Sequence, residues 1–230
     1  PEGTAEAVMK ALADRHPEVV WQALPPSYQK DITDLTHTFA TKMDPNVWNA
    51  AFGLGRKTAG ILRDKKAYIL GSSFMKSTGE DSQRIEQNWD TMVAMLDRFF
   101  ASEISSLDSL KSISWEKFLA TTARDMMNEA AAGSAKRSDD AFDREFTQKL
   151  RNTKVEVVSR EGDRATLRMT APGEEPEEQV MVRVEGRWVP ADMADDWSKD
   201  ITAAKDKLAA MTADEVQQSS MQAMMLIGMV

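Results

Sequence analysis

The chain has 230 residues, 42% of them apolar and 29% charged, a balance that lets it bury a core and sets it apart from disordered or collagen-like sequences. A net charge of −8 argues against a general electrostatic hold on nucleic acid or on acidic membranes, and the absence of Cys removes disulfides, thiolate nucleophiles and Cys-type zinc sites. His16 and His37 are the only histidines, too few for a multi-histidine metal site within one chain, and no stretch approaches the ~20 apolar residues of a membrane helix.

The opening residues predict two short helices, the first with Val8, Ala11 and Leu12 on one face and the second opened by Pro17, and Pro25-Pro26 ends the pair. Ser27 is the expected N-cap of the next helix, whose apolar positions Tyr28, Ile32, Leu35 and Phe39 form a core-facing stripe. Asp44-Pro45 marks another start, a cap followed by an N1 proline. Along the helix that follows, Gly53, Gly55 and Gly60 weaken the local preference and are the places where a second helix could approach closely.

A Gly/Ser-rich break from 71 to 79 precedes the clearest amphipathic run, Ile85, Trp89, Met92, Val93, Leu96, Phe99 and Phe100. Ser114 is the expected cap of a further helix carrying Trp115, Phe118, Leu119, Thr122 and Met126 inward, with Gly133 as its stop. A polar linker over 134–140 and a short helix with Phe142, Phe146 and Leu150 follow.

Between about 154 and 190 the apolar period changes from 3.6 to 2: Val155 and Val157, then Ala165, Leu167 and Met169, then Val180, Val182 and Val184. Glu161-Gly162-Asp163 and Glu185-Gly186 suit tight hairpins and Ala171-Pro172-Gly173 a looser turn, so the strands should form a small antiparallel meander with one face against helices. Beyond it, Met193, Trp197, Ile201, Ala204 and Leu208 predict another helix, and Thr212 with Glu215 a capping box before a Met-rich end. The expected fold is therefore mainly helical α+β, a single domain over 1–230. Its parts are a helical region over 1–150, a sheet over 151–190 and C-terminal helices over 191–230.

Few residues form a chemical constellation. His37 beside Asp34 and Thr41 could act as a base oriented by a carboxylate, but at ~100° per residue it falls opposite the Tyr28 stripe and should face solvent. His16, before Pro17, suits a turn or cap. Ser73 and Lys76 match the Ser-x-x-Lys spacing of a lysine-activated serine nucleophile. The partner elements of that chemistry reduce to Ser138-Asp139-Asp140 in a linker and Lys57-Thr58-Ala59 in a helix. Gly53-Leu54-Gly55-Arg56-Lys57-Thr58 superficially resembles a phosphate loop, without its spacing and without a preceding strand. Acidic runs at Glu174, Glu175, Glu177 and Glu178 and at Asp192, Asp195 and Asp196 read as solvated surface rather than as a cation site. No metal or cofactor is expected.

Two places suit contact with a ligand or partner. Trp188, at the end of the meander, either closes the core or lines a mouth between sheet and helices. Met224 and Met225, with Met221 and Met229, either adapt to a partner or are buried.

Residues 4–8 and 24–28, then Arg160-Glu161-Gly162-Asp163-Arg164-Ala165-Thr166 and Val182-Arg183-Val184-Glu185-Gly186-Arg187-Trp188, resemble small NTF2-like or cystatin-like domains of exported bacterial proteins. The likeness covers about a third of the chain, and residues 40–150 depart from it. It implies a helix-and-sheet cone that holds a small ligand or contacts a protein, with a periplasmic or cell-envelope location, and it transfers no catalytic residue. Pro1 in place of an initiator Met fits an exported chain trimmed of its leader. The expectation is a non-enzymatic binding module for an unknown ligand or protein, acting through its sheet or a helical groove. The rivals are a hydrolase using carboxylates or the Ser73/Lys76 pair, and an assembly protein acting through its C-terminal helix.

Overall fold

The computed structural model describes residues 1–77, 79–135 and 141–211. They form a mainly helical α+β chain with one four-stranded antiparallel sheet among the described residues. The chain divides into two compact units. Of the described residues, unit 1 comprises 1–38, 114–124 and 141–210, and unit 2 comprises 39–77, 79–113, 125–135 and Met211.

Unit 1 begins with α1 (Glu2–Ala13) and α2 (Pro17–Ala23), the second entered through His16 and Pro17. Helix α3 (Pro26–Lys42) starts two residues earlier than its sequence suggests. Ser27 lies inside the first turn, where its backbone N–H donates to Glu185 Oε2 at 2.9 Å, so a carboxylate from a hairpin serves the helix end in place of a serine cap.

Strands β1 (Lys154–Glu161), β2 (Arg164–Thr170), β3 (Glu177–Val184) and β4 (Arg187–Pro190) pair in chain order. Gly162 turns at φ 57°, and Glu185 with Gly186 at 49° and 81°, the pair of positive angles that a two-residue hairpin of type I′ needs. Ala165, Leu167 and Met181 share one buried face, because Ala165 pairs with Met181 and Leu167 lies two residues along β2. Val189, paired with Val182 on the other face, is also buried, so near β4 the sheet is covered on both sides and not on one. The covering helices include α2 against β4 and α12 (Ala191–Ala210) against β3 and β4. Helix α11 (Ala141–Asn152) packs on α1, and Arg151 Nη2 reaches Asp14 Oδ1 at 2.8 Å.

Helix α12 is held by three side-chain contacts. Trp197 stacks on Tyr28 with ring centroids 3.9 Å apart, and its Nε1 donates to Asp31 Oδ2 at 3.1 Å, while Lys205 Nζ donates to Asp31 Oδ1 at 2.7 Å. The Lys205 hydrogen bond, together with that of Trp197, outweighs burial and holds the Asp31 carboxyl below its ordinary range.

Unit 2 contains α4 (Pro45–Asp64), α5 (Lys66–Leu70), α6 (Ser73–Ser77), α7 (Glu80–Ala101) and α8 (Leu107–Lys111). The Gly/Ser-rich break thus contains a one-turn helix of its own. Asp44 caps α4 as expected, its Oδ1 accepting from Asn46 N at 2.7 Å. A chain of rings runs Phe39, Trp48, Phe52, Phe99, Phe100, with successive centroids between 4.9 and 5.9 Å apart. Ala40, Leu107 and Leu110 complete this core.

Ser114 caps the next helical stretch, accepting from Lys117 N at 3.3 Å. Helix α9 (Trp115–Phe118) continues through a π-turn at Leu119–Ala123 into α10 (Arg124–Ala135). Gly133 therefore does not stop this helix, which runs through it. The reason lies in packing: a Cβ at Gly133 would stand 2.3 Å from Thr91 Oγ1, so the missing side chain admits α7 instead of turning the backbone.

Candidate functional site

A site-like feature of unit 2 grows from the pattern of α7. At 100° per residue, Trp89, Val93 and Phe100 fall within about 40° of one another, while Met92, Phe99 and Met95 lie about 60° to 120° to one side. One face meets α4. Trp89 Nε1 donates to the Leu62 carbonyl at 3.0 Å, and Trp89 and Val93 are buried. Phe100 rests on Gly55, where a Cβ would lie 2.2 Å from its ring. Of the three glycines expected to admit a helix, Gly55 alone does so: Gly53 has nothing within 4 Å, and Gly60 meets only the end of Arg63 in its own helix. Ion pairs reinforce the contact, Arg63 with Asp97 at 2.6 Å and Lys66 with Asp90 at 2.8 Å.

A different flank of α7 meets α10. Arg98 bridges to Asp125 at 3.0 Å and to Glu129 at 3.4 Å, and Thr91 rests on Gly133. These contacts pair an early residue of α7 with a late one of α10 and the reverse, so the two helices run antiparallel.

Beside this contact opens a groove of about 470 Å³. Met92, Met95, Leu96, Phe99 and Phe100 from α7 and Met126 and Ala130 from α10 line it, with Asn88 and Thr91 as the polar members towards the start of α7. Met92 is 39% exposed, a large apolar side chain left in water. Among the described residues the lining holds no ionisable group. It can take up apolar surface through three deformable thioethers and two aromatic rings.

No family model, curated protein or solved structure matches this chain.

Among the described residues, none that the sequence singled out as a site lines the groove, and several lie outside the described residues. Trp188, on β4, is half-buried with the Arg160 guanidinium 5.3 Å from its ring centroid, a cation–π contact. Met224 and Met225, the Thr212–Glu215 capping box and Ser138-Asp139-Asp140 lie outside the described residues, as does the Lys76 side chain. Ser73 is exposed on α6, and His37 is exposed on α3 as its helix position predicts. The Gly53–Thr58 segment is continuous helix within α4, so its glycines cradle no anion.

Among the acidic runs, Glu174 pairs with Lys149 at 2.6 Å and Glu178 with Arg168 at 2.7 Å. No group of three His, Asp or Glu side chains converges among the described residues. No helix of the described residues is long and apolar enough to cross a membrane.

Unit 1 also carries a polar cluster around His16 whose members the sequence did not bring together. His16 Nδ1 lies 2.9 Å from Glu18 Oε1, and Arg124 approaches the same oxygen at 3.6 Å. Burial raises the Glu18 pKa, but the His16 hydrogen bond, a backbone hydrogen bond and the nearby cations outweigh it and hold the carboxyl below its ordinary range. Glu18 Oε2 and Trp115 Nε1 are buried with no hydrogen-bond partner among the described residues.

The groove was partly visible in the sequence. Adding Met95 to the apolar run widens its arc on α7 to about 160°, more than one helix contact covers. That excess width is the signal, because it requires either a second neighbour or exposure.

Proposed function

We propose that this chain is a non-enzymatic binding module and that the groove beside the α7–α10 contact holds a small apolar molecule. The observation that carries the reading is the groove itself. Its volume of about 470 Å³ lies in the range of small-molecule sites, and its lining is apolar with two polar residues towards one end. Methionine side chains suit such an occupant, since an unbranched thioether adapts its shape at low cost. The expected periplasmic or cell-envelope location belongs to the same proposal, and cell fractionation tests it.

Two measurements test the binding. Native mass spectrometry of protein purified from its own host should show a retained mass that vanishes on denaturation. The fluorescent probe 1-anilinonaphthalene-8-sulfonate (ANS) should bind the wild-type chain, and Met95→Trp, which fills the groove, should abolish that binding with the helical signal unchanged. Failure of the wild type to hold either a native ligand or the probe would end the reading.

A second reading places the ligand at the sheet of unit 1, as the resemblance to NTF2-like or cystatin-like domains implies. Arg160 over the half-buried Trp188 ring favours it. If Trp188→Ala, and not Met95→Trp, removes the retained mass, this second reading replaces the first.

A further inference from the structure

We infer that Gly133 sets the width of the groove and hence the cross-section of the molecule it accepts. The inference rests on the groove being the binding site and assigns the residue that makes it selective. Gly133 lies inside α10 and directly follows Ala130, Ala131 and Ala132. At such a position glycine costs about 1 kcal/mol relative to alanine, so local helix preference opposes it. What offsets that cost is the approach of Thr91, whose Oγ1, Cγ2 and Cβ lie 2.3, 2.5 and 2.8 Å from where a Cβ would stand.

Rotation of the Thr91 side chain would move the first two atoms but not the third. Its Cβ is fixed to the backbone of α7, so a side chain at 133 must push the helices apart by roughly 1 Å to restore ordinary contact. Thr91 also lines the groove, so the shift is felt there directly. On the other side of the contact, Arg98 ties α7 to Asp125 and Glu129, so the helices splay from the Thr91 end. With glycine at 133 the groove stays narrow and favours an unbranched chain over a bulky ring system.

The test uses the full chain and measures how well dodecanol and 1-adamantanol displace ANS. The ratio of the two affinities reports width and does not depend on the fraction of protein folded. Wild type should prefer dodecanol. Gly133→Ala should lower that preference by about fourfold or more, the effect of leaving one methylene uncovered. The double variant Gly133→Ala with Thr91→Gly removes all three clashing atoms, should fold even where the single variant does not, and should recover part of the preference. An unchanged ratio in both variants would overturn the role of Gly133 while leaving the binding site standing. A wild-type chain that binds ANS but neither alcohol would overturn the selectivity, and one that binds none of the three would remove the binding reading and this inference together.

Discussion

In unit 1, helices are tied to one another and to a small sheet by charged and indole hydrogen bonds, with Asp31 receiving both Trp197 and Lys205. Unit 2 packs its helices around a chain of aromatic rings and leaves its ion pairs, such as Arg63 with Asp97 and Arg98 with Asp125, at the surface. Its tryptophans donate to backbone carbonyls, Trp48 to Ile104 at 3.1 Å and Trp89 to Leu62 at 3.0 Å, so its side-chain chemistry is almost wholly apolar at the core. Among the described residues, the methionine-lined side of α7 in unit 2 remains open. A covered apolar face is accounted for by stability, whereas an open one costs free energy in water and points to a function.

The sharpest way to separate covered from open surface is a pair of truncations. Leu167, 0% exposed at the centre of the sheet, should lose about 3 kcal/mol on Leu167→Ala, read as a lower denaturant midpoint at unchanged slope. An effect well under 1 kcal/mol would mean that the sheet is not the core of unit 1.

Next in size is the polar tie of α12. Asp31→Asn leaves Trp197 with a neutral acceptor and removes the charge partner of Lys205, for a loss of about 1 kcal/mol. The same site predicts a pH dependence. Asp31 and Glu18 both have folded pKa values below their unfolded ones, so the stability they contribute is present above about pH 4 and is lost as pH falls through the folded values. Thermal melts between neutral pH and pH 3 should show a falling midpoint, and the fall should be shallower in Asp31→Asn. Identical acid slopes would show that Asp31 does not link protons to folding.

The smallest effect is expected at the groove. Met92→Ala removes a side chain already 39% exposed and should change stability by about 0.5 kcal/mol or less. A loss as large as that of Leu167→Ala would mean that the groove is closed in solution, and the contrast between the two units would collapse.

Local rules placed most of the elements. The period-2 run and the glycines at 162 and 186 located the meander, and Asp44 and Ser114 capped helices where their chemistry says they should. They failed where a distant partner intervened. Ser27 was displaced as a cap by Glu185, and Gly133, a stop by local preference, became a contact point because Thr91 arrives from α7.

The candidate site followed the same divide. Met92, Leu96, Phe99 and Phe100 were legible as one apolar stripe, but a stripe does not say how much of itself a neighbour will cover. By itself the sequence determined the fold class, the strands and the amphipathic faces, because these depend on periodicity and turn chemistry within a few residues. Only the tertiary structure decided which apolar surface is left open, since that depends on where α4 and α10 settle around α7, and helix positions are set by contacts between residues far apart in the chain.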